Sequence, residues 1–181
     1  MTSSTSRGFT LVELMITIAV LAIGSALAYP SFTGVMRSNR VPTTTNSFIA
    51  AFNLARSEAI RSKRGGGVCP SRDGASCEGS DWNVGFMAFE DVDFNGSFSA
   101  GDRVLRYFEG NDAMQLSAQP GAGQPAGAGG IEQVAFDRSG RVIAAVQFNV
   151  QVKDCAAGQD YRRVLNVRRT GQARMEKEVC Q

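Results

Sequence analysis

Residues 7–30 read RGFTLVELMITIAVLAIGSALAYP, and this stretch decides how the rest of the chain must be organised. From Phe9 to Tyr29 it is apolar, broken only by small or hydroxylated residues and by one acid, Glu13. As a helix rising about 1.5 Å per residue, such a run extends roughly 30 Å, enough to cross a bilayer core. A carboxylate inside it is costly and therefore asks for a partner and a function. A cleaved secretory signal or a simple anchor would also be apolar, and Ala26-Leu27-Ala28 has the small residues of a signal cleavage site. The short polar leader and the position of Glu13 fit neither reading well.

The remaining composition narrows the field. The chain has 181 residues, enough for one apolar helix and one modest globular domain, and its formal net charge is only +2. There is no histidine, which removes histidine bases, triads and metal sites together. Four cysteines in a small domain suit disulfides formed in an oxidising compartment, with three pairings formally open. Their wide, uneven spacing does not suit zinc. A catalytic thiol would need an activating base. No enzyme is expected, and no cofactor or small-molecule substrate.

The motif GFTLVELM, followed by an apolar stretch and Pro30, resembles the signal of type IV prepilins and pseudopilins. That resemblance implies a leader of residues 1–8, cleavage by a prepilin peptidase between Gly8 and Phe9, and N-methylation of Phe9. The apolar helix, 9–30, would be kept. It also implies that Glu13 pairs with the N-terminal amine of a neighbouring subunit, which is physically reasonable because a charge in a low-dielectric helical bundle strongly prefers a partner. The segment would serve first as an inner-membrane anchor and then as packing surface in a filament. Arg7 before the segment and Arg37 and Arg40 after it leave orientation undecided by charge. The cysteines put the globular part outside the cytoplasm, which for the resembled family implies the periplasm.

Beyond the segment, Pro30 and Pro42 are expected to kink or interrupt the helix and Gly34 to loosen it, within a continuation spanning 31–64. After Pro42, threonines supply caps, and Phe48, Phe52, Ala55 and Ala59 recur at helical spacing, an apolar stripe for a sheet. Arg56, Glu58 and Arg61 should face water, and RGGG at 64–67 should end the helix. Residues 65–181 then form a β-rich domain, with strands expected at 84–89, 103–108, 133–137, 141–146 and 146–155 and a closing hairpin turning at Thr170-Gly171. The fold expected is α+β, a long N-terminal helix packed on an antiparallel sheet, pilin-like. Residues 117–132, rich in Gly, Ala and Pro, read as a surface loop.

Three features hold chemistry. Asp91, Asp93, Asn95, Gly96, Ser99 and Asp102 have the spacing of a calcium loop, yet the flanks read as strands, so a polar hairpin loop is the expectation and no metal is assigned. Cys69 and Cys77 bracket a turn-rich loop that a local bridge would close, and a Cys155–Cys180 bridge would tie down the C-terminus. Some relatives in the resembled family bind DNA through Gly-Arg-x-Arg in the last hairpin. Here that place reads Gly171-Gln172-Ala173-Arg174, lacking the first arginine, with Arg168 and Arg169 nearby as further candidate phosphate contacts. Strand alternation would send those two to opposite faces.

Further stretches, including NLARSEAIRSKRGGGVCPSRDGASC, IEQVAFDRSGRV and VRRTGQAR, narrow the likeness to the FimT/FimU minor pilins, which share a domain with the secretion pseudopilin GspH. The expected role is a minor pilin near the tip of a type IV pilus, partnered by other minor and major pilins. A GspH-like subunit of a type II secretion pseudopilus and a DNA-binding minor pilin for DNA uptake are the alternatives.

Overall fold

A computed structural model describes residues 8–124 and 130–181, without the side chains of Leu27 and 30–33. Apart from Gly8, the expected leader lies outside the described residues, as does 125–129 of the Gly/Ala/Pro tract.

Helix α1 (Leu11–Ser62) is assigned without a break through both Pro30 and Pro42. A proline inside a helix removes one amide and crowds the carbonyl four residues back, at a cost of about 3 kcal/mol. Around Pro42 the hydroxyls do unexpected work. Thr43, Thr45 and Ser47 donate to the carbonyls of Asn39, Val41 and Thr43 at 2.7, 2.8 and 3.1 Å. These threonines are therefore interior helix residues bonded backwards, not caps. The helix stops at Lys63, whose φ of 56° is the left-handed conformation of a C-terminal cap.

Two compact units follow from the contacts, Met1–Ser38 and Asn39–Gln181. The second holds the core. Among the described residues, eight strands form two antiparallel sheets: β1 (Gly65–Pro70), β2 (Gly85–Asp91), β3 (Arg103–Glu109) and β5 (Val134–Phe136) in the order β3-β2-β1-β5, and β4 (Met114–Pro120), β6 (Val146–Val152), β7 (Arg162–Val167) and β8 (Ala173–Glu178) in the order β4-β6-β7-β8. The expected helical stripe is correct: Phe48, Phe52, Ala55 and Ala59 are all buried. Phe48 stacks on Phe86 of the first sheet (ring centroids 4.1 Å) and reaches Phe148 of the second (5.2 Å). Strand β6 alternates as the sequence implies, with Val146, Phe148, Val150 and Val152 inward.

Some expectations fail for physical reasons. The glycines of 65–67 are not only a helix stop; they form β1, a fully buried interior strand. A Cβ on Gly66 would lie 2.7 Å from the Ala55 carbonyl oxygen and one on Gly67 2.5 Å from the Phe89 ring, so only glycine lets this strand approach the helix so closely. The strand expected at 141–146 does not form: Val142 makes a single bridge to Phe136, and pairing resumes only at Val146, where β6 begins. Asp137 Oδ1 accepts the amides of Ser139 (2.8 Å) and Arg141 (3.0 Å) and bends the chain into a turn, and the Val142 amide then donates to the Arg169 carbonyl (3.1 Å). The supposed loop 117–132 begins as strand β4, which runs to Pro120.

Candidate functional site: the N-terminal segment and the loops of the domain

At the N-terminal end, Thr10 precedes the first helical residue, and its hydroxyl accepts the Glu13 amide at 3.2 Å. Thr10-Leu11-Val12-Glu13 is thus the sequence of a capping box, with an acid in the first turn where the helix dipole favours negative charge. Glu13 has that local reason to be where it is, and it remains exposed, with no ion pair among the described residues. Phe9 is 82% exposed, and every large apolar side chain from Leu11 to Ile23 is at least 56% exposed. An apolar surface on all sides of a helix is stable only against lipid or other apolar helices. Among the described residues, no helix is long and apolar enough to cross a membrane.

The last hairpin is tied to its neighbours. Gly171 (φ 77°) and Gly140 (φ 74°) lie in touching turns, so close that a Cβ on Gly171 would collide with the Gly140 carbonyl. Arg56 of α1 reaches beneath both, donating to the carbonyls of Gly140 (3.0 Å) and Thr170 (3.3 Å). It is half-buried and structural, not the water-facing residue expected. Arg168 and Arg169 fall after β7, in the turn, so strand alternation does not separate them. Both are exposed and line one groove of about 540 Å³ with Gly121–Gln124. Arg138 and Arg141, which the sequence reading overlooked, are exposed on the neighbouring turn. By contrast Arg162 pairs with Glu178 (3.4 Å), Arg163 with Asp160 (3.2 Å) and Arg174 with Glu176 (3.5 Å). Arg174, the one matched arginine of the Gly-Arg-x-Arg pattern, therefore has a carboxylate beside it.

A second charged cluster was also missed. Glu58 is 12% exposed and accepts from Arg61 (2.5 Å) and Arg103 (2.6 Å), while Arg103 also holds the buried Glu90 at 2.8 Å. The expectation that Glu58 faces water is corrected: β3 brings Arg103 over it, which no local pattern signals. The Arg61 hydrogen bond, aided by the charges of Arg61 and Arg103 and opposed by burial, holds its carboxyl below the usual range.

Both disulfides join the partners that local position suggested. Cys69–Cys77 (Cα–Cα 5.6 Å) closes a loop pinned further by Asp73, which accepts the amides of Ala75 and Ser76, and by the Tyr107 hydroxyl on the Arg72 carbonyl (2.8 Å). Cys155–Cys180 (5.5 Å) fastens the chain end, where the Cys180 amide donates to Gln159.

The loop between β2 and β3 brings Asp91, Asp93 and Asp102 together. Burial, together with the nearby carboxyls of Asp93 and Asp102, pushes the Asp91 carboxyl up despite the Gly96 amide it accepts. Asn95 stands beside them with its amide nitrogen on Asp93 Oδ2 (2.9 Å).

Comparison with known proteins is consistent with this arrangement. A family model described as type II transport protein GspH matches residues 44–171, and one described as the prokaryotic N-terminal methylation motif matches residues 3–29. No curated protein matches the chain. Among solved structures, the type IV minor pilin FimU of Pseudomonas aeruginosa is similar, at 20% identity and TM-score 0.54, covering 77% of this chain and 90% of its own. The minor pseudopilin EpsH of the Vibrio cholerae type 2 secretion system matches at 17% identity and TM-score 0.50, covering 76% and 96%. At such identities these likenesses establish the fold: an N-terminal helix on antiparallel strands.

Proposed function

This chain belongs to the GspH family of minor pilins and pseudopilins, and from that premise we propose that it is a minor pilin that takes part in type IV pilus assembly, near the tip. In this reading prepilin peptidase cuts between Gly8 and Phe9, Phe9 is N-methylated, and the helix anchors the subunit once through the inner membrane with its disulfide-bonded domain in the periplasm. During assembly the apolar stem exchanges lipid for the stems of other minor and major pilins, and the Glu13 carboxylate meets the Phe9 amine of a neighbour. The observation behind it is the stem itself: apolar and exposed all round, with one carboxylate in its first turn.

The test is incorporation. Glu13→Ala should leave the subunit in the membrane fraction and deplete it from sheared filaments, with the domain still folded. Equal incorporation of the variant would contradict the pairing. Loss of piliation on deletion, with secretion intact, separates this reading from a subunit of a type II secretion pseudopilus.

A second reading, DNA uptake, draws on the exposed Arg138, Arg141, Arg168 and Arg169 on two touching turns. Phosphate contacts made there would give binding that weakens steeply with salt. Arg168→Ala with Arg169→Ala should then remove it, while Arg174→Ala, already paired with Glu176, should matter less. No binding at low salt would leave these arginines as surface.

A further inference from the structure

The turn between β2 and β3 points to an ion. In the twelve residues 91–102, Asp91, Asp93 and Asn95 take the first, third and fifth places, Gly96 the sixth, Ser99 the ninth and Asp102 the twelfth. Those are the ligand places and obligatory glycine of a helix–loop–helix calcium site, but here antiparallel strands flank the loop, so spacing alone decides nothing. Geometry adds more. One carboxylate oxygen from each of Asp91, Asp93 and Asp102 lies within 4.8 Å of the others. Two oxygens about 2.4 Å from a shared calcium ion stand at most ~4.8 Å apart, and these separations meet that limit.

An independent observation concerns Asp91. It is only 3% exposed, and its Oδ1 is sealed from solvent with no hydrogen-bond donor among the described residues. An oxygen so buried is costly if left unmatched, more so when charged, and a domain that keeps it there has use for a positive partner. The other acids have spare capacity without being orphaned. Asp102 accepts the amides of Val92 and Ser99 (both 2.7 Å), and the Ser99 hydroxyl stands between Asp93 Oδ2 (3.2 Å) and Asp102 Oδ2 (3.1 Å).

We propose that this loop binds one calcium ion through the carboxylates of Asp91, Asp93 and Asp102, with the Ser99 hydroxyl and water completing the shell. Asn95 is not a ligand in this site, despite its place in the spacing. Its amide nitrogen braces Asp93 and its carbonyl oxygen takes the Ser97 amide at 2.7 Å. The donor set is all hard oxygen, which suits calcium and magnesium and disfavours softer transition metals. Magnesium requires shorter bonds and near-ideal octahedral geometry and releases water reluctantly, so a loop offering three spread carboxylates selects calcium.

The experiment is calorimetric titration of the EGTA-stripped full chain in detergent micelles with calcium chloride, alongside thermal unfolding with and without the ion. Saturable binding of one ion per chain and a raised Tm are expected, with magnesium weaker. Asp93 is exposed, so Asp93→Asn leaves the folded domain intact and should weaken calcium binding more than the roughly 10–100-fold that loss of a supporting residue alone costs. Asp73→Asn, in the other loop, should bind like the parent chain. No heat and no Tm shift at millimolar calcium, or unaltered binding by Asp93→Asn, would overturn the site.

Discussion

Gly171 shows how a single residue can look functional in sequence and be structural in space. It opens the Gly-x-x-Arg stretch that resembles a DNA-binding signature, yet its φ of 77° and its contact with the Gly140 carbonyl demand glycine whether or not the hairpin binds anything. Gly171→Ala should destabilise the domain by about 2–3 kcal/mol, the size expected where a side chain meets both a left-handed backbone and a steric wall, as read from urea unfolding. Glu58 gives a pH prediction. Its carboxyl is held low by Arg61 and Arg103, so the ionised form favours the folded state. Its stabilising contribution is present above the ordinary carboxylate value of about 4.3 and is lost as pH falls through the depressed folded value. Unfolding measured from neutral pH downward should show a shallower acid loss in Glu58→Gln. At this scale the sequence was readable where chemistry is local, as in Thr10 and Glu13 or the two cysteine pairs. It was silent where distant strands supply the partner, as with Arg103 over Glu58 and Arg56 beneath two turns.

Among the elements, α1 was legible because its first part is continuously apolar and Phe48, Phe52, Ala55 and Ala59 then recur at helical spacing, and β6 because alternation with branched and aromatic residues is strict. The misreadings have one cause in common, which is that tertiary contacts override local signals. Triple glycine, ordinarily a break, becomes β1 because a helix and a phenyl ring leave no room for side chains. The residues at 141–145 form no strand beyond the single bridge at Val142, because Asp137 turns the chain first. Prolines expected to interrupt the helix sit within its assigned span. The packing of α1 on both sheets rests heavily on Phe48, whose ring meets Trp82, Phe86 and Phe148. Phe48→Ala should therefore cost about 3–5 kcal/mol in denaturant unfolding, whereas truncating Ile60, which is 47% exposed, should cost far less.

For the molecule as a whole, the contrast between the two units carries the functional argument. Residues 39–181 bury aromatic rings between two sheets and staple their loops with disulfides. The apolar side chains of 11–23 have no such cover. Surface of that kind has to be buried in lipid or in like helices, which is what a filament subunit that waits in a membrane requires. The family and the methylation motif agree with this division. The proposed assembly role depends on the stem being retained: removed as a secretory signal, it would leave a domain without the helix that role requires. Intact-mass and N-terminal analysis of the chain co-produced with a prepilin peptidase tests this most directly. The account predicts a mature protein beginning at Phe9 with one added methyl group. A mature protein beginning at Tyr29, cut after Ala28, or a chain left uncut by the peptidase, would contradict it.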